Sequence, residues 1–273
     1  MKALLTSAAW IGLAVCTGSH PGNAQLQDNS EKQMTCDNGS RDGDRARHCE
    51  IREQTLPAIG RLSLDAGQNG GATVKGWLRG EVLVRARVEA SGDTQSEAAL
   101  MASQVSIGAA GGQVQATGPE PGSDSWWSVS YEVFVPQTTD LTLKAHNGGL
   151  TISDVRGEIH FEVNNGGVHL KRVAGDVSGS TVNGGVQVEL AGAIWDGRQL
   201  QVSTRNGGVT LAMPSYYSAH LQAETHSGSI QSDFPITLEG NLKPRNLDFN
   251  LGSGGPLIHV STENGGVRLK RTE

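Results

Sequence analysis

From residue 147 onward, apolar and polar positions alternate in short blocks that restart at the same triplet, Asn-Gly-Gly. The triplet begins at Asn147, Asn165, Asn183, Asn206 and Asn264, with an earlier copy at Asn69 and a degenerate His226-Ser227-Gly228-Ser229. With Asn as the first position, the fourth is Leu150, Val168, Val186, Val209, Ile230 or Val267, and the sixth is Ile152, Leu170, Val188, Leu211 or Leu269. The residue between them is polar: Thr151, His169, Gln187, Thr210, Gln231, Arg268. Residues two apart share one face of a strand, so each block opens with a short strand that buries one side. A second strand follows, as in Ile159, Phe161 and Val163, after a bend at Val155-Arg156-Gly157 or Val173-Ala174-Gly175.

Asn147 to Asn165 and Asn165 to Asn183 are each 18 residues, and the next intervals, 23 and 21, fit the same unit with small insertions. The 37 residues from Ser227 to Asn264 read as two units with the middle turn lost. Asn-Gly-Gly suits a tight reversal at positive φ, which Gly accepts freely and Asn tolerates. One 18-residue coil cannot bury its own apolar face; stacked neighbours do that for each other. The fold class expected is therefore all-β, a β-solenoid or β-helix-like stack of short strands with Asn-Gly-Gly turns. Its asparagines are placed to form a hydrogen-bonded ladder. A hexapeptide solenoid fails, because steps of six from Leu150 land on Arg156 and Glu162. A calcium-binding nonapeptide roll lacks its Asp after the glycines. Spacing alone leaves a parallel coil and a ladder of antiparallel hairpins both open.

Alternation also appears earlier, in Leu62 and Leu64, in Val82 to Val88, and in Trp127 to Val135 before Pro136 ends the strand. Residues 94–105 carry Ala98, Ala99, Leu100 and Met101 without Gly or Pro and predict one short helix. Residues 113–116 predict a short strand. The segment 25–60 is polar and reads as a loop. Met1-Lys2 and the apolar residues 3–15 form a signal peptide, with cleavage after Ala24. That run is too short for a membrane helix, which needs roughly 20 residues. Lipid anchoring at Cys16 is the less favoured course, because Val15 sits where a lipoprotein box wants a small residue. The division is thus 1–24 signal peptide, 25–60 polar segment, 61–273 repeat domain, and the destination periplasmic or secreted. Export leaves Cys36 and Cys49 as one disulfide closing a polar loop.

A net charge of −6 on 273 residues argues against nucleic acid and against an anionic membrane surface as partners. Gly stands at 37 while aromatics make up 4%, which agrees with many turns around a thin core.

The strand Val133-Phe134-Val135-Pro136 leads into Leu141-Thr142-Leu143 and His146-Asn147-Gly148-Gly149-Leu150, and repeats continue to Asn264-Gly265-Gly266-Val267. Together these resemble the DUF4097 family, adhesin-type β-repeat proteins of bacterial envelopes, over roughly Leu62 to Lys270. The resemblance implies a β-solenoid-like fold and an envelope role, and it supplies no catalytic residues.

No nucleophile elbow, zinc-protease helix, phosphate loop or dinucleotide fingerprint occurs. His146, His160, His169 and His259 lack recurring ligand partners and read as surface residues. Asp154, Glu158, Asp176 and Glu189 scatter rather than pair, which speaks against glycoside hydrolysis. The leading expectation is a non-catalytic envelope protein, without cofactor or metal, serving adhesion or scaffolding with an envelope protein or glycan as partner. The alternative is a carbohydrate-binding module using Trp126, Trp195, Tyr216 and Tyr217 as a stacking surface. A glycan-processing enzyme is the less favoured third reading.

Overall fold

The computed structural model describes residues 34–36, 41–42, 45–235 and 245–273. The expected signal peptide and Cys16 lie outside the described residues. The N-terminal region comprises β1 (Arg41–Asp42), β2 (Arg45–Pro57), β3 (Arg61–Asp65), β4 (Ala72–Trp77), β5 (Glu81–Gly92), helix α1 (Gln95–Gln104), β6 (Ser106–Ala110), β7 (Gln113–Thr117) and β8 (Trp126–Pro136). The repeats supply β9 (Asp140–Asn147), β10 (Leu150–Ser153), β11 (Arg156–Asn165), β12 (Val168–Lys171), β13 (Ala174–Asn183), β14 (Val186–Glu189), β15 (Gln199–Asn206) and β16 (Val209–Pro214). After these come β17 (Ala219–Ser227), β18 (Ile230–Ser232), β19 (Asn246–Leu251), β20 (Leu257–Asn264) and β21 (Val267–Thr272).

The strands form two long sheets, and the chain crosses from one to the other at each Asn-Gly-Gly. One sheet runs β1-β2-β5-β8-β4-β10-β12-β14-β16-β21-β18, the other β19-β17-β20-β15-β13-β11-β9-β3-β7-β6. Pairing between repeats is parallel, which decides against the hairpin ladder. Ala72, Leu150, Val168, Val186, Val209, Val267 and Ile230 stand in one register row of the first sheet. Leu62, Leu141, Ile159, Val177, Leu200, Ile258 and Leu221 form the matching row of the second. Side chains from both rows meet in a single hydrophobic cluster. Each coil's apolar face is thereby covered by its neighbours, the condition that makes repeats stable only in company.

The asparagines form the ladder that the period permits. Nδ2 of Asn147 donates to Oδ1 of Asn69 at 3.0 Å, and Asn165 to Asn147, Asn183 to Asn165, Asn206 to Asn183 and Asn264 to Asn206 at 2.7–2.9 Å. The glycines, however, serve a different purpose from the one expected. None of the Asn-Gly-Gly glycines adopts positive φ. Instead, a Cβ on the first glycine would strike the carbonyl oxygen of the equivalent glycine one coil away. That distance is 2.2 Å at Gly148 and Gly166, 2.1 Å at Gly184 and Gly207, and 1.9 Å at Gly265 and Gly228. The second glycine is looser, with 3.0 Å at Gly149, 3.6 Å at Gly167 and 3.3 Å at Gly185 and Gly208. The degenerate copy follows this rule: Gly228 keeps the crowded position, and Ser229 takes the roomier one on the last coil of its sheet.

The interval from Ser227 to Asn264 is not two units. The final coil, β20 and β21, inserts between the coil of β15–β16 and that of β17–β18. Residues 246–251 run antiparallel along β17 as β19. Insertion lets Asn264 continue the ladder from Asn206 and leaves the Ser227 coil outermost, with β19 covering a strand edge that would otherwise be open.

The N-terminal region is built differently. β5 pairs antiparallel with both β2 and β8, and β8 then runs parallel to β4. The segment expected as a loop, 25–60, thus contributes a 13-residue strand. Its polar sequence hid this, because most of β2 is only partly covered and its pairing is carried by backbone. Cys36 and Cys49 are disulfide-bonded, with Cα atoms 5.6 Å apart. Helix α1 fills residues 95–104 as expected and starts with a capping box, Thr94 Oγ1 accepting from Glu97 N while Glu97 accepts from Thr94 N. Its Ala98 and Ala102 are buried. Among the described residues no helix is long and apolar enough to cross a membrane.

Candidate functional site

The outward residues of the second sheet fall into rows running across the coils. Three positions before each Asn, the row reads Lys144, Glu162, Ser180, Ser203, Ser261 and Glu224 in spatial order. Three consecutive serines between longer side chains leave a trough, and a cavity of about 710 Å³ opens there. Ser180, Ser203 and Ser261 line it, together with Val182, Arg205, Glu263 and His226 from the neighbouring row. Arg205 Nε lies 3.4 Å from Glu263 Oε2, which stiffens that rim. Glu224 and Arg245 line the end beside β17 and β19. At the other end Glu162 pairs with Lys144 at 3.2 Å, and His160 also bonds to it. The hydrogen bond from His160, followed by that from Lys144, holds the Glu162 carboxyl below its usual range.

The trough therefore offers hydroxyls on its floor and fixed charges of both signs around it. Such a surface can hydrogen-bond a polar, extended ligand laid across successive coils. Its floor rests on a second ladder beneath. Buried Thr181, Thr204 and Thr262 donate to the carbonyls of Gly166, Gly184 and Gly207 at 2.7–2.9 Å, and Thr225 donates to Gly265 at 2.7 Å. These carbonyls include the very ones that exclude a Cβ from Gly184, Gly207 and Gly265.

The four aromatic candidates do not come together, and two are withdrawn from solvent. Trp195 is 3% exposed, its Nε1 donating to the Gly175 carbonyl at 3.1 Å. Tyr217 is 1% exposed, and burial raises its hydroxyl pKa. Within the insertions at 190–198 and 215–218 most residues stay exposed, but these two rings turn into the core, so neither offers a stacking face. Tyr216 alone of the insertion pair is exposed, at 67%. Trp126 sits half-buried in the N-terminal region, with the Arg47 guanidinium 5.3 Å from its ring centre. His160 and His169 are exposed, and His146 and His259 are partly covered.

Three of the four scattered carboxylates, Asp154, Asp176 and Glu189, are tied into bonds between coils. Asp154 accepts from Arg172 at 2.6 and 2.7 Å, Asp176 pairs with Arg198, and Glu189 lies 3.2 Å from Lys171. Asp154 and Arg172 occupy equivalent bends, both at positive φ. The trough itself escaped the sequence reading because its row order depends on where the last coil inserts. The recurring Ser three residues before Asn183, Asn206 and Asn264 was the signal available.

These features define a protein of stacked parallel strands with a polar trough on one outer sheet face. The chain belongs to the Toastrack DUF4097 family, whose model matches residues 83–270. No curated protein matches the chain. Among solved structures it is similar to one named "putative cell adhesion protein" from Clostridium sporogenes, with 11% identity and a TM-score of 0.45 over 82% of this chain and 100% of the other. It is also similar to a "putative adhesin" from Bacteroides fragilis, with 10% identity and a TM-score of 0.40 over 81% and 97%. A third, named "putative lipid binding protein", is from Parabacteroides distasonis, with 8% identity and a TM-score of 0.30 over 81% and 96%. Likenesses at this level say nothing about what the chain binds.

Proposed function

We propose that this chain is an exported, non-catalytic cell-envelope protein that works by adhesion or scaffolding through the outer wall of a β-solenoid. The observation that supports it is the trough, which register builds from four successive coils and which is held open by small side chains. The N-terminal pattern and the Cys36–Cys49 bridge agree with passage into an oxidising compartment. A removable leader at 1–24 followed by one envelope domain is the organisation that fits.

A glycan is the ligand class that the trough favours within this reading. Serine hydroxyls, carboxylates and guanidinium groups in a row match the dense hydroxyls of a sugar chain, and strands repeat at roughly 4.8 Å along it. The test is retention of the full mature chain on insoluble cell-wall polysaccharide, compared with Ser203→Gln, which fills the trough without touching the core. Weakening by about tenfold, or roughly 1.4 kcal/mol, is expected. Equal retention of both forms overturns the trough. Recovery of the chain in the cytoplasm with residues 1–24 still attached overturns the envelope reading itself.

A further inference from the structure

Every rung of the ladder is an Asn followed by Gly, the pair whose side chain cyclises most readily. In that reaction the glycine nitrogen attacks Cγ of the asparagine, forming an N–C bond. The Cγ–Nδ2 bond breaks, and ammonia leaves with the two amide hydrogens and the proton from the glycine nitrogen. Water then opens the succinimide ring to aspartate or isoaspartate. Two groups must be free for this: the glycine N–H, which gives up its proton, and Nδ2, which departs.

All six asparagines of the ladder are exposed and all six are followed by Gly-Gly, so solvent access and local sequence predict similar rates. Hydrogen bonding separates them. At Asn165, Asn183 and Asn206 the amide nitrogen donates to one neighbouring rung and Oδ1 accepts from the other. The following N–H groups, of Gly166, Gly184 and Gly207, donate to the backbone carbonyls of Asn183, Asn206 and Asn264 at 2.9, 3.0 and 3.1 Å. Asn264 is also held, through its own Nδ2 and through Gly265 N–H to Ser227 O at 3.2 Å. Asn147 has its amide held on both sides.

Asn69 differs from all of them. The ladder has a direction, each Nδ2 donating toward the N-terminal coil, and Asn69 is its last acceptor. Its Oδ1 receives Asn147, but among the described residues its own Nδ2 donates to nothing; Gly70 N–H, like that of Gly148 after Asn147, makes no such cross-coil bond, so the unbonded Nδ2 is what sets Asn69 apart. We propose that Asn69 is the ladder's modification site, where spontaneous deamidation is concentrated while the interior rungs are protected. The same polarity makes it the rung where the product is tolerated. An aspartate at 69 still accepts from Asn147, whereas one at 183 has no hydrogen to give Asn165 and sets a carboxylate against its Oδ1. Conversion places one negative charge at the ladder's end beside the N-terminal region.

The experiment is peptide mapping by mass spectrometry of the intact, folded chain held at mildly alkaline pH, reading each Asn-Gly peptide separately. Asn69 is expected to convert at least about tenfold faster than Asn165, Asn183 or Asn206, the ratio that one added hydrogen bond on a reacting group produces. In urea the six rates should converge. Equal rates in the folded chain, or an interior rung leading, overturn the proposal. Independently, Asn69→Asp should leave the thermal midpoint unchanged and Asn183→Asp should lower it; equal loss in both denies the ladder its polarity.

Discussion

The repeat stack and the N-terminal antiparallel region share one sheet yet hold together by opposite means. In the stack, coils approach so closely that a glycine carbonyl occupies the place of the next coil's Cβ, and the same backbone contact recurs from Gly148 to Gly265. Charges there stay outside, in exposed pairs such as Arg172–Asp154. In the antiparallel region long strands meet through large side chains, and charge is taken inside. Arg85 and Glu132 are 6% and 8% exposed; Glu132 bonds Lys75 at 2.7 Å and Arg85 at 3.4 Å, and Arg85 also reaches Glu53 at 3.2 Å. Phe134 lies beneath these cations, with Lys75 5.3 Å and Arg85 5.5 Å from its ring centre. Repetition lets one small residue solve every junction; a junction made once needs a particular set of groups.

The contrast can be broken at its strongest point first. Glu132→Ala strands the Arg85 guanidinium in a covered site and is expected to cost about 3–4 kcal/mol, the range for removing one partner of a buried pair. A urea titration showing less than about 1 kcal/mol would place that cluster with the surface pairs, which contribute little. Next, Gly184→Ala should lower stability by about 3 kcal/mol, since its added carbon meets backbone that has nowhere to go. Gly185→Ala, with 3.3 Å of room, should lose only about 1 kcal/mol. Equal losses at the two glycines would show that backbone freedom, not the approach of coils, sets their requirement. Asn183→Ala removes two amide hydrogen bonds at an exposed rung and should cost roughly 1 kcal/mol by chemical denaturation.

The smallest expected effect is a pH dependence on β2. The hydrogen bond from Arg52, offset in part by burial, lowers the Glu50 pKa below its ordinary value of 4.5. A carboxyl that ionises more readily when folded adds stability above its ordinary pKa, and that stability fades as pH falls through the lowered one. Comparing thermal midpoints at neutral pH and below 4.5 should therefore show an acid-side loss that Arg52→Ala diminishes. An unchanged acid limb in that variant would assign the loss to other carboxyls.

Legibility followed the same division. The register row Leu150 to Val267 was readable because a period of one coil repeats the same burial pattern; of the second sheet's row, the strand around Ile159 was legible, and the insertions hid its continuation to Leu200 and Ile258. The helix at 95–104 was readable from local propensity, a run with Ala98, Ala99, Leu100 and Met101 and no Gly or Pro. β2 was not, since Arg45, Arg47, Glu50, Arg52 and Glu53 carry no apolar alternation, and its backbone partners lie further along the chain in β5, from Pro57 with Glu81 to Ala46 with Gly92. Trp195 and Tyr217 were misjudged because an insertion's length does not say whether it points outward or into a core with space to fill.

The amino-acid order alone decided that short strands bend at Asn-Gly-Gly and bury alternate residues, since those are consequences of local geometry and of a period visible in one dimension. It also carried the reason glycine recurs, though under the wrong cause. Only the tertiary structure decided which coil lies against which. The final coil inserts before the penultimate one and there brings another asparagine to Asn206, because contacts between distant segments compete by total free energy rather than by sequence order. That choice aligns Ser261 with Ser180 and Ser203 and adds Asn264 to the far end of the ladder from Asn69.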